Sequence, residues 1–510
     1  MDTRATHEDG RGARWRFATG VAALLLSVAW AYRHDAPLRA GVDHQHVASV
    51  RELARGEFPP RHNLIGGHAP QGHYGPYFVA LGFLARVTGA PPRTVLYAAG
   101  LAGALAFALA LAAVARAAAG PEAASWSPWC AALLWGPWPA RAMRWTAWGW
   151  PGTTSPADAQ NFYYPQHAAL VLLLIIVALL LPEVDARTFR WRLGLAVVLG
   201  ALLVATHPLT GMALAVATAS IAGAAWLEGR RRLASTAGLV LLPLVALGLA
   251  ALWPYYPVTG LLRAFVDPNF RSASALVAPA VSAAAAASGA AAAPAPPPTP
   301  LFSLLGPAVV GLAGTVLLAR RRRYFVLAWT LAALFAAFCP LLPLRQRLVT
   351  FVAVPLHLGA AALPGLTRDR RARVVLVAAL CAGGASAALR VRWVLGQERP
   401  DLSFLPPLVP EDAIVLSDPR TSNAVAGLTG RKVVAPEGPD VFLILAGGYQ
   451  RTLDADRFLL PTTSEAERRS ILDRWHVTHV LVDRLAGGPA LGYHVLYEGG
   501  GFALYDVRGR

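Results

Sequence analysis

The stretch GVDHQHVASVRELARGEFPPRHNLIGGHAPQGHYGPY, residues 41–77, guides the interpretation of the whole chain. It follows the apolar run Trp15–Tyr32, begins near the acid Asp43 and ends in the aromatic corner Tyr74-Gly75-Pro76-Tyr77. Together with His34 just before it, it holds six of the chain's 13 histidines, although only 15% of all residues are charged. Loops carry a large share of functional residues, so this polar loop is where we expect recognition or chemistry.

The apolar composition around the loop indicates a membrane protein. Of the 510 residues 55% are hydrophobic, and the charged fraction of 15% lies well below the roughly 25% of average soluble proteins. Apolar runs of the length that crosses a hydrocarbon core, about 20 residues, recur along the N-terminal three quarters of the chain. Examples are Trp15–Tyr32, Val95–Val114, His167–Leu181, Leu233–Trp253, Leu301–Ala319, Tyr324–Cys339, Leu348–Leu363 and Val374–Leu389. We expect an α-helical polytopic membrane protein with about 11 to 13 transmembrane helices and a small C-terminal α/β extracytoplasmic domain.

The net charge of +17 is explained by arginines in loops on the cytoplasmic side of the membrane. Short arginine clusters separate the apolar runs, at Arg187–Arg192, Arg230–Arg232, Arg320–Arg323 and Arg368–Arg373. Such placement is typical of cytoplasmic loops, whereas a nucleic-acid-binding face would carry the cations on a soluble element. The pattern predicts a multi-pass protein of the inner or plasma membrane, with the lipid bilayer as a partner and nucleic acid excluded. The N-terminus is expected in the cytoplasm and the C-terminal domain outside.

This topology requires an odd number of crossings. A simple count gives about twelve runs, which becomes about eleven if the short Trp126–Trp138 run lies in the interface, or about thirteen if a short helix is overlooked. The topology also places several polar or aromatic features together on the external side. They are the loop 34–74, Phe162–Gln166, His207-Pro208, Trp253–Pro257 and Arg345–Arg347.

The composition divides the chain into two domains. Residues 1–395 form the transmembrane domain, which includes the external loop 34–74 and an external Ala/Pro-rich linker over residues 272–300. Residues 410–510 read as a soluble α/β domain, long enough for its own core. Strands are expected at Ala413–Asp418, Lys432–Ala435, Thr478–Val482 and Phe502–Val507, and helices at Thr421–Leu428 and Glu465–Trp475. Ser464 and Glu467 form a capping box before the second helix.

Asp43 is the candidate catalytic base. An amphipathic stretch, His46–Arg55, follows it and would lie in the membrane interface, holding Asp43 near the headgroups. Burial there would raise the pKa of the carboxyl group towards the range that suits a general base. The alternative is that Asp43 only caps the following helix, as Asp often does. Asp35 is the reserve acid.

The remaining site candidates are assigned to substrate or carrier binding. Histidine spacing in the loop matches no usual zinc pattern, so we predict no metal ligands, and a divalent cation as cofactor has no motif to support it. The tyrosines suit either an aromatic belt or stacking on sugar rings, and the two external arginines suit either snorkelling or a phosphate. The candidates are His44, His46, His73, Tyr74, Tyr77, Tyr163, Tyr164, Gln166, His207, Arg345 and Arg347.

The pattern resembles the GT-C superfamily of integral-membrane glycosyltransferases. The resemblance is carried by the first helix, the long loop that starts with Asp43, and the HYGPY entry to the next helix at residues 73–77. The segment Tyr163–Gln166, the Arg345-Gln346-Arg347 triplet ahead of Pro355 and His357, and the tail AIVLSDP add to it. The superfamily includes protein O-mannosyltransferases, aminoarabinose transferases and the group of rhizobial lipopolysaccharide-core glycosyltransferases. Many members have two adjacent acids in the first loop, whereas His44 follows Asp43 here.

The resemblance implies a sugar donor linked to polyprenyl phosphate and an acceptor hydroxyl outside the membrane. Asp43 would be the base of an inverting hexosyl or pentosyl transfer, and Arg345 or Arg347 would bind the carrier phosphate. The acceptor would be a glycan, a lipid or a protein. A transporter or flippase of lipid-linked saccharides is the first alternative, although no internal repeat of the kind found in transporters is evident. A non-catalytic envelope assembly protein is the second.

Overall fold

The computed structural model describes residues 3–35, 44–69, 71–134, 162–229, 233–266, 301–339, 345–367, 370–396, 400–436, 448–485 and 487–509. Its contacts divide the chain into two compact units. We call residues 1–36, 97–252 and 296–396 the helical unit. Residues 37–96, 253–295 and 397–510 are the loop–sheet unit.

Helices dominate the first 400 residues. In chain order they are α1 Thr3–Arg33, α2 His44–Ala54, α3 Pro76–Thr88, α4 Pro92–Ala119, α5 Pro121–Trp129, α6 Pro165–Leu180, α7 Ala186–Thr206, α8 Pro208–Leu227, α9 Leu233–Ala250, α10 Val258–Val266, α11 Leu301–Arg320, α12 Phe325–Phe338, α13 Arg345–Leu366 and α14 Arg370–Leu395. Those of the C-terminal segment are α15 Leu405–Leu408, α16 Pro419–Ala424, α17 Gly448–Leu459 and α18 Glu465–Arg474. Short π-helical turns follow α5 at Cys130–Leu134 and α16 at Val425–Thr429.

The helical unit has the composition of a membrane domain. In the part of the chain that the structure describes, four helices are long and apolar enough to cross a membrane: Arg11–Arg33, Pro92–Ala119, Ala186–Thr206 and Pro208–Leu227. Six shorter apolar helices accompany them among the described residues, such as α6 and α12. Many large apolar side chains on these helices are exposed, Trp226 and Phe335 among them, as expected for surfaces that face lipid. The predicted class, an α-helical polytopic membrane protein, is confirmed.

Proline and glycine set the local geometry of the helical unit. Pro208 interrupts the apolar region and separates α7 from α8 at His207, as the sequence predicts. The helices α11 and α13 cross so closely that their contact requires glycine. A Cβ at Gly359 would lie 2.2 Å from the carbonyl oxygen of Gly311. Small residues at crossings let membrane helices approach closely.

The loop–sheet unit contains one five-stranded sheet in the order β2-β1-β3-β5-β4. The strands are β1 Ile414–Leu416, β2 Lys432–Val433, β3 His479–Asp483, β4 His494–Gly499 and β5 Phe502–Asp506. β1 runs parallel to β2 and β3, whereas β5 runs antiparallel to β3 and β4. Four strands and the helix α18 agree with the sequence prediction, and Ser464 Oγ accepts the Glu467 backbone N–H as expected for its cap.

The sheet packs on both faces. One face joins α17 and α18 through a core that includes Leu416, Phe458 and Leu472. The other face is covered by a core in which Ala48, Leu64 and Ile65 of the first loop pack with Val415 and Val433. The backbone N–H of Val433 also donates to the carbonyl oxygen of Leu64 at 2.7 Å. Residues 410–510 therefore do not build this core alone. The predicted division into domains of residues 1–395 and 410–510 stays a prediction.

The helix α2 differs from its prediction in environment. Its apolar residues Val47, Val50 and Leu53 are buried by protein, as are nine of its eleven residues. The expectation that its apolar side faces lipid is therefore wrong, whereas its location at the level of the membrane interface stays a prediction. The cause is that both sides of the helix have protein partners, α3 on one and the C-terminal sheet core on the other. The predicted linker over residues 272–300 lies outside the described residues.

Candidate functional site

The candidate base Asp43 lies outside the described residues, and α2 begins at the next residue, His44. His44 is buried against the turn after α16, where a Cβ on Gly427 would come within 2.3 Å of the His44 Cβ. The first-loop acid is therefore one peptide bond away from a tightly packed position.

Two of the predicted histidines and one tyrosine meet at the start of α3. The His46 ring stacks on Phe78 with centroids 5.4 Å apart and an interplanar angle of 11°. The edge of His73 approaches His46 at 5.1 Å and Phe78 at 5.6 Å, and Tyr77 meets Phe78 edge-on at 5.4 Å. The Tyr77 hydroxyl is buried and has no hydrogen-bond partner among the residues that the structure describes. The Tyr77 hydroxyl could therefore donate a hydrogen bond to a bound ligand.

Tyr74 has a structural anchor in the same loop. Its hydroxyl donates to the carbonyl oxygen of Arg61 at 2.5 Å, and its own carbonyl oxygen accepts from the indole N–H of Trp253 at 2.8 Å. Burial, with a smaller effect of the negative charge of Glu52, raises the pKa of Tyr74 well above 10. Tyr74 therefore remains a neutral donor at all physiological pH values.

The loop histidine His62 belongs to a buried polar network. Its Nδ1 accepts the backbone N–H groups of Leu64 and Ile65 at 3.1 and 3.2 Å. An Nδ1 atom that accepts these bonds is not available to a metal. Throughout the described parts of the chain, no group of three or more His, Cys, Asp or Glu side chains could hold a metal ion.

An aromatic cleft lies beside Tyr74. Its volume of about 460 Å³ is within the range of small-ligand pockets, roughly 300–1,000 Å³. Tyr74, Trp253, Tyr255 and Tyr256 line it together with His68 and several prolines. Trp253 and Tyr255 stack with centroids 5.5 Å apart. The described lining contains no Asp, Glu, Lys or Arg, and its aromatic rings offer flat apolar faces.

A tyrosine cluster in the helical unit contains Tyr163. Tyr32 and Tyr97 stack with centroids 4.5 Å apart, and Tyr163 lies 5.8 and 6.1 Å from them. The Tyr97 hydroxyl donates to Asp35 Oδ1 at 3.0 Å. Asp35, the reserve acid, has a φ of 52°, which is uncommon for a residue other than glycine. Asp35 and Tyr163 therefore both lie next to Tyr97, one at its hydroxyl and the other at its ring.

The next residues of this segment are buried at the start of α6. Tyr164 and Gln166 flank Pro165, the first residue of the helix, and both are buried. The ring of His167 packs between Phe107 and Phe162 at 4.9 and 4.7 Å. His167 and Tyr97 were not among the predicted site residues, because each was assigned to an apolar run, His167–Leu181 and Val95–Val114.

His207 occupies the break between α7 and α8, as predicted. Its Nδ1 accepts the backbone N–H of Thr210 at 3.3 Å and lies 2.8 Å from the hydroxyl of Thr210. The side chain therefore caps α8. Capping accounts for the position of His207, and its assignment to carrier binding stays a prediction.

Arg345 and Arg347 lie in the first turn of α13, whose backbone is described although these two side chains are not. The positive end of the helix dipole is at this end, so cations there are unfavourable for the helix itself. No acidic residue in that turn compensates them. Two arginines at this end of α13 therefore destabilise the helix unless an anion lies nearby.

Comparison with known proteins gives matches in structure only. No protein-family model matches the sequence, and neither does any curated protein. ArnT from Cupriavidus metallidurans has a TM-score of 0.55 and 15% identity, with 96% of this chain and 98% of that chain covered. The oligosaccharyltransferase AglB from Archaeoglobus fulgidus, solved with an inhibitory peptide and a dolichol-phosphate, has a TM-score of 0.51 and 16% identity over 92% and 69% of the chains.

The third similar structure is the arabinofuranosyltransferase AftD from Mycobacteria, with a TM-score of 0.51 and 16% identity. The matched region covers 97% of this chain and 40% of the AftD chain. AglB and AftD are transferases by name, and likenesses at identities this low show the fold alone. The chain therefore shares its fold with these three proteins, which is the architecture that the resemblance to the GT-C superfamily implied.

Proposed function

We propose that this protein is a membrane glycosyltransferase that moves a sugar from a polyprenyl-phosphate carrier to an acceptor hydroxyl with inversion. The observation that carries the proposal is the likeness to ArnT, which extends over 96% of this chain and 98% of that one. A likeness that covers both chains almost completely includes the first loop as well as the C-terminal segment. A dolichol-phosphate in the AglB structure supports a lipid-phosphate carrier.

The proposed reaction is one displacement at the anomeric carbon of the sugar. The acceptor oxygen attacks this carbon as Asp43 takes the hydroxyl proton. The bond between the anomeric carbon and the phosphate oxygen breaks, and the polyprenyl phosphate leaves with the bonding electrons. Arg345 and Arg347 stabilise the negative charge that develops on the phosphate. One displacement on the face opposite to the leaving group inverts the configuration.

The other predicted residues bind the substrate or the lipid carrier. His44, His46, His73, Tyr74 and Tyr77 belong to the first loop and the start of α3. Tyr163 and Tyr164 lie just before α6, Gln166 lies in its first turn, and His207 lies between α7 and α8. We place this chemistry on the extracytoplasmic side of the cell membrane, with the N-terminus in the cytoplasm, because the arginine clusters follow the positive-inside rule. The acceptor is a glycan, a lipid or a protein.

The test uses purified protein in lipid with undecaprenyl-phosphate-linked mannose and arabinose as donors. Release of free undecaprenyl phosphate is measured for the wild type, Asp43→Asn and Arg347→Ala, with the exposed Glu183→Gln as the matched control. We expect turnover by the wild type and the control, at least a 100-fold loss in Asp43→Asn, and a loss in Arg347→Ala that includes a higher KM for the donor.

Three outcomes would contradict the proposal. Full turnover by correctly inserted Asp43→Asn would rule out this base. Donor binding without turnover in any variant would favour a transporter or flippase of lipid-linked saccharides. Absence of donor binding altogether would favour a non-catalytic envelope assembly protein.

A further inference from the structure

The aromatic cleft beside Tyr74 lies wholly within the loop–sheet unit. Its lining comes from two segments, residues 59–74 of the first loop and residues 253–257, which follow α9. Of the described side chains that line it, four are aromatic and four are prolines. The fold thus brings together Tyr74 and Trp253, which are 179 positions apart in the sequence.

Hydrogen bonds and ring contacts orient the aromatic rings of the cleft. The indole N–H of Trp253 donates to the carbonyl oxygen of Tyr74 at 2.8 Å, and the hydroxyl of Tyr74 donates to the carbonyl oxygen of Arg61. Tyr255 stacks on Trp253 at an interplanar angle of 28° and meets Phe58 edge-on at 5.3 Å. Because the protein itself orients these rings, a ligand that binds on them pays little for ordering them.

The chemistry of the lining disfavours several kinds of ligand. A phosphate would find no arginine or lysine among the described lining residues. A hydrocarbon chain would find neither Leu nor Met among them, the side chains that adapt to an irregular apolar surface. A bound peptide would need donors for its carbonyl oxygens, but the indole N–H of Trp253 is already bonded to Tyr74.

A neutral sugar ring fits this lining. One face of the ring carries C–H groups, whose partial positive charge is attracted by the negative face of an aromatic ring. Its edge carries hydroxyls, which both donate and accept hydrogen bonds. Trp253 and Tyr255 are half-buried, so each ring leaves part of its surface accessible. The exposed imidazole of His68 supplies a polar group that can bond a sugar hydroxyl.

We propose that the aromatic cleft binds a neutral sugar ring of the acceptor, so that the acceptor of the transfer is a glycan. Tyr255 and Trp253 are the stacking residues, and the cleft is thereby a specificity-determining site. The assignment of the bound sugar to the acceptor rests on the proposed function. Binding of a neutral saccharide by the cleft does not, because it needs no donor and no turnover.

The binding test uses the intact protein in lipid nanodiscs and saturation-transfer NMR titrations with mannotriose, arabinotriose and, as the peptide probe, decaproline. Both trisaccharides should bind, and the protons on one face of a sugar ring should receive the most saturation. Tyr255→Leu removes the aromatic ring and should weaken binding by about 3- to 10-fold. Tyr255→Phe keeps the ring and should stay within about threefold of the wild type.

A second pair of variants covers a failure of Tyr255→Leu to fold. Trp253→Phe and Trp253→Leu both lose the bond to Tyr74, so a weaker affinity of the leucine variant reports the aromatic face alone. The matched control is Trp226→Leu in α8, an aromatic residue that is 73% exposed and lies outside the cleft. It should bind the trisaccharides as the wild type does. Apparent Tm is measured on every variant to confirm that it is folded.

The binding outcomes decide whether the cleft is a saccharide site. If the folded leucine variants bind the trisaccharides as tightly as their phenylalanine counterparts, the cleft is not the site. Absence of trisaccharide binding by the wild type would also overturn the proposal. Binding of decaproline in place of the sugars would assign the cleft to a peptide partner instead.

The role as acceptor site is tested with the undecaprenyl-phosphate-linked sugars used for the proposed function, with the trisaccharides added as acceptors. We expect elongation of a trisaccharide by one sugar, and in Tyr255→Leu a KM for the trisaccharide raised by the same 3- to 10-fold while the KM for the donor is unchanged. Donor turnover without elongation of a bound trisaccharide would overturn the glycan acceptor. If no donor is turned over, the proposed function fails, whereas saccharide binding that depends on Tyr255 still establishes the cleft.

Discussion

The buried hydroxyl of Tyr77 leads to a residue-scale prediction. Burying a hydroxyl without a partner costs about 1–3 kcal/mol, and no partner is present among the described residues. Tyr77→Phe should therefore leave the apparent Tm unchanged or raise it slightly. If the hydroxyl binds substrate, the same variant should lose about 5- to 50-fold in kcat/KM, an estimate based on one lost hydrogen bond.

Tyr74 provides the matched comparison for Tyr77. Its hydroxyl already donates to the carbonyl oxygen of Arg61, so Tyr74→Phe should lower stability by about 1 kcal/mol. Thermal unfolding and donor turnover are measured on both variants. Unchanged turnover in Tyr77→Phe would remove that hydroxyl from the site.

Asp456 gives a prediction that depends on pH. Burial, with a smaller contribution from the charge of Asp418, raises the pKa of Asp456 to about 6. An acid whose pKa is higher in the folded state stabilises the fold below its unfolded pKa, near 4, and loses that contribution as the pH rises to 6. Asp456→Asn should therefore stabilise the protein at pH 7 by roughly 1–2 kcal/mol, after discounting for partial exposure.

The measurement for Asp456 is the difference in apparent Tm between Asp456→Asn and the wild type at pH 7 and pH 4.5. The gain should be larger at pH 7. A gain that is equal at the two pH values would contradict the raised pKa.

At the scale of single residues, the sequence was sufficient to find the polar loop, because polar side chains are rare in the apolar runs around it. It could not separate His46 and His73, which pack on Phe78, from His68, which is exposed on a cleft. Burial depends on contacts made by distant parts of the chain, and single residues in a loop carry no signal for it.

Among elements, the crossing of α11 and α13 depends on the small size of its glycine residues. A Cβ at Gly359 would lie 2.2 Å from the carbonyl oxygen of Gly311 and 2.5 Å from the hydroxyl of Thr315. Gly359→Ala should therefore force the two helices apart and destabilise the protein by about 1–3 kcal/mol, as overpacking commonly does. Apparent Tm in detergent measures the effect.

The control for Gly359→Ala is Gly223→Ala in α8. A Cβ there meets nothing within 4 Å, and alanine is the better helix former by about 1 kcal/mol. Gly223→Ala should therefore be neutral or slightly stabilising. Equal effects of the two substitutions would show that close packing at Gly359 is not what requires glycine.

Element prediction succeeded where a local chemical signal exists. Proline marked the boundary between α7 and α8, and the serine cap marked the start of α18. The strand β4 was missed because its residues are half-exposed and His494–Gly499 shows no clear alternation of apolar and polar side chains. The helix α17 was missed because its sequence is mostly polar.

At the scale of the whole molecule, the amphipathic pattern of α2 fitted two environments equally well. Its apolar side could face lipid or protein, since both exclude water. Polar contacts of α2 favour the protein environment. Glu52 pairs with Lys432, and Arg51 donates to the carbonyl oxygens of Ala426 and Gly427. These partners lie about 380 residues away along the chain. Pairings over such a separation leave no trace in one sequence, so the membrane class was predictable and the association of the first loop with the sheet was not.

This association predicts that residues 397–510 do not fold alone. The core on one face of the sheet takes in Ala48, Leu64 and Ile65, and β2 loses the hydrogen bond from Val433 to Leu64 when the first loop is absent. Lys432 would also lose its partner Glu52. The isolated fragment should therefore expose apolar surface, bind a hydrophobic dye and give a poorly dispersed amide NMR spectrum, as molten states do.

The matched fragment carries residues 44–75 joined to residues 397–510 by a flexible Gly/Ser linker. Restoring the first-loop residues restores the covered face, so dye binding should fall and the amide spectrum should disperse. A version of this fragment with Leu64→Asp should revert to the dye-binding state, because it places a charge in the core. If residues 397–510 alone already give a dispersed spectrum without dye binding, then the sheet is an independent domain and the first loop only docks on it.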